Sequence, residues 1–321
     1  MIDFRYHIVS IVAVFLALAL GLFLGSTTLQ GTVTRNLDRQ ANRVTGEYNN
    51  EVAINGRLGN QLKAEQSLTN DVEPYAVADR LTGEAVAVVS APGVDGNLQK
   101  AVVNTLQLAG ATVTADISLQ PSYIDPTQDA EIGQLATELV LPNHVLPSGN
   151  GATEISSILA NVLVTRTGHH PVGRTKVDAV LNALTVGKFI SVIGNPPTRP
   201  ADMAVLLVAD PTSSSSATLV QAQNTELMTL AKDLRGASNA GVVAGPDPVS
   251  GESGSALAAA RADPALTKNT STVDFDVVKP TDAAAGRIAI VLALSVGESG
   301  TVGAYGLGEA SQVLPTASAS P

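Results

Sequence analysis

Few side chains in this sequence are of the kinds that do chemistry, and their spacing narrows the options further. There is no cysteine, and the three methionines are Met1, Met203 and Met228. Met203 and Met228 fall in stretches that read as a strand and a helix, where a thioether is core filling. Chelation of a soft metal, which calls for thiolate or several thioethers, therefore lacks a ligand set. Among the four histidines, the adjacent His169 and His170 are weak candidates for a metal site, because neighbours in a loop before Pro171 are most simply solvated. His144, between Pro142 and Pro147, is weaker still.

Nucleophilic chemistry is equally sparse. Gly251-Glu-Ser-Gly254 and Gly297-Glu-Ser-Gly300 lack the glycine-x-serine-x-glycine order of a nucleophile elbow. No Ser-His-Asp set or paired carboxylate stands out, so no catalytic residue is assigned and the chain is not expected to be an enzyme. Ser90-Ala-Pro-Gly93-Val-Asp-Gly96 follows a strand and opens a helix, a place where backbone amides hold anions. It lacks the GxGxxG order and any basic residue within the turn, so no cofactor is expected. Asp274 and Asp276, in Thr272-Val-Asp-Phe-Asp-Val-Val278, are expected to alternate on the wet face of an edge strand.

The elements that would carry these residues begin with an apolar segment. Between Arg5 and Arg35 there is no Asp, Glu, Lys or Arg, and Ile8 to Leu24 is long enough to cross a bilayer at about 1.5 Å per residue. Residues 1–28 are read as an uncleaved transmembrane signal anchor in the lipid bilayer. A cleavable signal peptide is the rival reading, but its apolar region is usually shorter, and Phe23-Leu24-Gly25 is a poor cleavage site. Arg5 on the short side favours an inside N-terminus, and hence an extracytoplasmic body. Ala13, Ala17, Gly21 and Gly25 recur every fourth residue, the small-xxx-small spacing that lets membrane helices approach closely.

Residues 29–73 change to a polar helical texture. Leu37, Val44, Glu51, Leu58, Glu65 and Val72 recur every seven residues. Ala41, Tyr48, Asn55, Leu62 and Thr69 follow four residues after the first five, making a heptad seam with polar breaks. This predicts a coiled-coil stalk that gains order by pairing, as a homodimer or higher oligomer or with another protein. Gly46, Gly56 and Gly59 each weaken the helix by roughly 1 kcal/mol, and Glu73-Pro74 is expected to end it.

Residues 74–312 alternate short apolar runs with helical periodicity. Strands are predicted at 85–90, 111–117, 189–193, 204–209, 240–244 and 287–294. Helices are predicted at 97–109, 129–139, 154–164, 176–186, 219–234 and 255–261, with Gly110 closing the first of them. Solid apolar strands alternating with helices define an α/β class: a mostly parallel, Rossmann- or flavodoxin-like sheet covered on both faces. Pro211 to Ser216 and Gly245 to Gly254 read as surface loops, and 313–321 as a disordered tail. Aromatics are only 3% while hydrophobic residues are 45%, so aliphatic side chains must fill the core. A net charge of −10 argues against a nucleic-acid partner, which clustered Lys and Arg would signal.

Two stretches carry a family resemblance. Arg5-x-His7-x-x-Ser10 with Ala13-Val-Phe-Leu-Ala-Leu-Ala19, Gly21 and Gly25 opens the chain. Ser271-Thr-Val-Asp274, Gly286-Arg-Ile288, Val291-Leu-Ala-Leu294 and Gly303-x-Tyr305-Gly306 lie near its end. Together they resemble the actinobacterial MctB copper transporter family, a group that also contains the cell-separation protein SteB. The resemblance implies a membrane-tethered extracytoplasmic protein with a role in copper efflux or homeostasis, copper ion being the transported species. It also implies possible action as a channel, with the outer membrane as a possible site. Its other implication is a coiled-coil protein working with a SteA-like membrane partner to regulate septal peptidoglycan hydrolysis and cell separation. The strands do not alternate as barrel strands do, so any pore is expected from oligomerised anchor helices.

Overall fold

The computed structural model describes residues 4–142, 144–210, 216–248, 254–275, 283–308 and 312–315. The chain divides into two units, Met1–Glu65 and Gln66–Pro321. Helix α1 runs over Phe4–Val77, 74 residues, without a proline before Pro74. It therefore passes the expected stop at Pro74 by almost a turn. The missing proline N–H removes one intrahelical bond, while Ala78 N still donates to the Pro74 carbonyl at 3.2 Å, and Val77 and Leu81 are buried in the core that follows. Packing outweighs the local preference.

The second unit is an α/β fold around one seven-stranded sheet. Its strands are β1 (Ala85–Ser90), β2 (Thr112–Leu119), β3 (Ile190–Val192), β4 (Met203–Leu207), β5 (Ala240–Pro246), β6 (Ser271–Phe275) and β7 (Ala304–Tyr305). They lie in the order β3-β2-β1-β4-β5-β6-β7. Every neighbouring pair is parallel except β2 with β3. The helices are α2 (Gly96–Leu108), α3 (Asp129–Glu138), α4 (Gly151–Leu163), α5 (Arg174–Val186), α6 (Ala217–Ala237), α7 (Ala256–Ala262) and α8 (Ala284–Gly297). Gly110, in the left-handed region at φ 87°, closes α2 as its position predicts.

Strand alternation divides the core into two layers. Ala87 and Val89 of β1 and Leu206 of β4 face one layer with α4, α6 and α7. Val86, Val88 and Val205 face the other, which contains Val77, α2 and α8.

The run Arg287–Leu294, expected as a strand, is the middle of α8. The reason is physical: α8 is buried nearly all round, from Ala284 through Leu294, and a helix with no wet face shows the same unbroken apolar run as a central strand. The placement of α8 is also unusual. The β4–α6–β5 and β6–α8–β7 crossovers advance in the same direction across the sheet, yet α6 and α8 cover opposite faces. They are therefore of opposite hand, and α8, on the face of α2, forms the crossover that departs from the right-handed rule.

Candidate functional site

In the first unit, Arg5–Gly25 forms 21 residues of uncharged helix after its first residue, with none buried. At about 1.5 Å per residue this matches the hydrocarbon thickness of about 30 Å. Ala13, Ala17, Gly21 and Gly25 share one face of it through their four-residue spacing, and a Cβ added at Gly21 or Gly25 would meet nothing within 4 Å. Further along α1, the stripe Leu37, Val44, Tyr48, Leu58 and Leu62 is exposed throughout. Apolar side chains in such a row are unusual on a helix that works alone.

In the second unit the late motifs of the sequence converge on one corner. Asp274, expected on a wet edge, is instead 2% exposed, because β7 pairs on the outer side of β6 and covers it. Its carboxylate accepts from Arg261 Nη2 at 2.8 Å, from Leu307 N at 2.7 Å and from Gly308 N at 3.2 Å. Arg261 also donates to Thr272 Oγ1 and to the Tyr305 carbonyl. Gly306 sits at φ 138°, where an added Cβ would collide with the Asp274 carboxylate. Thr272 and Asp274 of β6, Arg261 of α7 and the backbone from Tyr305 to Gly308 thus form one ion-pair and amide cluster at the end of the sheet. Asp276 lies outside the described residues.

A second buried pair fastens the last turns of α1. Arg287 of α8 donates from Nε and Nη2 to the two oxygens of Glu73, at 2.8 and 2.6 Å, and Thr105 Oγ1 donates to the same carboxylate at 2.5 Å. Asn70 Oδ1 accepts from Arg287 Nη2 at 3.3 Å. Both charges are buried, and the two-pronged geometry is the form in which Arg holds a carboxylate most firmly. Neither Arg261 nor the Glu73–Arg287 pair stands out in the sequence, since each partner is remote along the chain.

The remaining candidates separate. His169 and His170 are exposed on the turn before α5, while His144 Nε2 lies 2.9 Å from Ser157 Oγ. Met203 and Met228 are buried. No group of three or more His, Asp or Glu residues able to hold a metal occurs among the described residues. At the turn after β1, Asp95 caps α2 with its own carboxylate, accepting from Asn97 N and Leu98 N, so the amides that could take an anion are occupied. In Gly297-Glu-Ser-Gly300, Ser299 Oγ donates to the Val296 carbonyl at the end of α8; residues 251–253 of the other Glu-Ser motif lie outside the described residues.

Burial perturbs two acids on α6. It pushes Asp233 up to about 6 against a weaker opposing pull from Lys232, and raises Glu226 despite the hydrogen bond from Asn150. One Asp233 oxygen is buried without a hydrogen-bond partner among the described residues. The nearby Tyr123 hydroxyl, 2.8 Å from Ser156 Oγ, is raised by burial as well.

An apolar helix long enough to span a bilayer, followed by a helix-covered α/β sheet, defines a membrane protein with a folded α/β domain. The chain belongs to the family described as copper transport outer membrane protein, MctB, which it matches over residues 1–315. Copper transporter MctB of Mycobacterium tuberculosis (strain ATCC 25618 / H37Rv) is 27% identical over 317 residues, 96% of this chain and 97% of its own length. The protein of the same name from Mycobacterium bovis gives the same values. That of Mycobacterium leprae (strain TN) is 27% identical over 319 residues.

Proposed function

We propose that this chain is a single-pass, N-terminus-inside membrane protein that serves copper efflux or copper homeostasis in the cell envelope, with copper ion as cargo rather than as a resident cofactor. The observation that carries this reading is the similarity over 96% of the chain to relatives named copper transporters. Donor chemistry supports cargo over storage: the chain has no thiolate, its two internal thioethers are buried, and His169 and His170 stand exposed without a third ligand among the described residues. Any conduit is assigned to association of anchor helices through Ala13, Ala17, Gly21 and Gly25, since the described sheet is open and covered by helices. Arg5 on the short flank supports the inside N-terminus.

The test is copper tolerance of a deletion strain. Loss of tolerance restored by the full chain is expected, as is restoration by His169→Ala/His170→Ala. Ala17→Leu/Gly21→Leu should fail to restore it while still fractionating with membranes. Unchanged tolerance on deletion would overturn the reading. The exposed heptad stripe favours a second reading, in which the stalk binds a SteA-like membrane protein and regulates septal peptidoglycan hydrolysis. That reading expects normal copper tolerance, unseparated daughter cells and a stoichiometric membrane partner in a pull-down.

A further inference from the structure

A cleft of about 400 Å³ lies between α2, the first part of β2 and residues 193–199. It exists because β3 is short and antiparallel. After Val192 the chain makes one more bond to the strand, Ile193 N donating to the Asp116 carbonyl at 2.8 Å, and then leaves the sheet edge through Gly194, in the left-handed region at φ 75°.

One wall is prepared from beneath. Ser90, 1% exposed, donates its hydroxyl to Gln99 Oε1 at 2.9 Å, and Gln99, 3% exposed, donates from Nε2 to Asp116 Oδ1 at 2.6 Å. A relay of buried polar groups is costly wherever two apolar side chains would pack as well. Here it fixes the direction of a single carboxylate on the wall of the cleft, and burial raises the pKa of that carboxylate despite the bond from Gln99. Thr114, at the bulge where the β1–β2 register shifts, lines the same cleft, and its hydroxyl is buried with no hydrogen-bond partner among the described residues. Gln107, Thr112, Asn195, Thr198 and Arg199 add further polar lining, with Val103 and Val113 as a small apolar patch.

We propose that this cleft binds a small uncharged polyhydroxy ligand, a sugar or polyol, with Asp116 as its principal acceptor and Asn195 as a further partner. The mixture of donors and acceptors selects the class. The lining holds one carboxylate and one guanidinium, so neither a strongly anionic nor a strongly cationic ligand is favoured, whereas hydroxyl groups can give and accept at the polar lining positions. The volume lies within the range of small-molecule sites, about 300–1,000 Å³. No aromatic ring is among the lining residues, so stacking adds nothing and affinity falls in the millimolar range. The inference is independent of copper.

The experiment is a ligand-observed NMR titration of the full chain, in micelles of a detergent without a sugar head group, using glucose, mannose and myo-inositol as probes. Saturable binding of at least one probe is expected. Asp116→Asn, which keeps shape and removes the charge, should weaken it by about tenfold or more, the usual effect of losing a hydrogen bond to a charged group. Asn195→Ala, on the exposed segment and neutral for folding, should weaken it severalfold. Gln221→Ala, in the separate groove between α6 and α7, should leave it unchanged. Absence of saturation with all three probes, survival of binding in both cleft variants, or its loss in Gln221→Ala would each overturn the proposal.

Discussion

Asp233 has a carboxylate that the fold places in a poor position, and the consequence is measurable. Burial lifts it from an ordinary 3.8 to about 6, so the folded chain holds this proton more tightly than the unfolded chain does. The stabilisation that follows is complete below about pH 4 and is lost as pH rises through about 6. Water reaches part of the group, so the effect is of order 1 kcal/mol rather than the full shift. Chemical denaturation at pH 4.5 and 7.5 should show wild type losing stability relative to Asp233→Asn over that interval, and parallel pH profiles would refute the assignment. At this scale the sequence was least legible. The absence of soft-metal ligands could be read from residue types alone, as could Gly110, whose place after a helical run demands the left-handed region. Asp274 could not: alternation along its strand predicts a wet face, and only the later return of Ala304–Tyr305 to the outer side of β6 buries it. Its partner Arg261 is 13 residues away on another element, with no local signal to join them.

Most elements were legible because their periodicity is local. The unbroken runs of β1, β4 and β5, together with the helical spacing in α2 and α6, gave the α/β class directly. The exception, α8, shows the limit of periodicity: a helix wet on no side has no polar phase to betray its 3.6-residue repeat. Pro74 shows the limit of propensity, since the buried Glu73–Arg287 pair and the burial of Val77 hold the helix past it. That pair makes a second prediction. Arg287→Met leaves the Glu73 carboxylate buried without its cation and should cost about 3–5 kcal/mol, whereas Glu73→Leu combined with Arg287→Met removes both charges and should recover most of the loss. Denaturant midpoints of the two variants measure it. A double variant as unstable as the single one would show that the pair contributes through specific geometry rather than through charge compensation.

At the scale of the whole molecule, Leu37, Val44, Tyr48, Leu58 and Leu62 on α1 are exposed in the single chain, which leaves the stripe open to a partner in trans. A second copy is the simplest one, since a helix stripe with heptad spacing is complementary to itself. The seam would be a weak one. Glu51, Asn55 and Glu65 interrupt it, and Gly46, Gly56 and Gly59 each lower helix stability by roughly 1 kcal/mol, so pairing should depend on concentration rather than be permanent. Sedimentation equilibrium of a fragment beginning at Gln30 should therefore show a monomer–dimer equilibrium, while Leu58→Asp with Leu62→Asp should shift it to monomer. The circular dichroism of the α/β domain should be unchanged in that variant, because both side chains are exposed in the single chain and contribute nothing to its core. If the mass stays dimeric after both substitutions, self-association runs through another surface. If it is monomeric before them at the highest concentration reached, the stripe is reserved for a different protein.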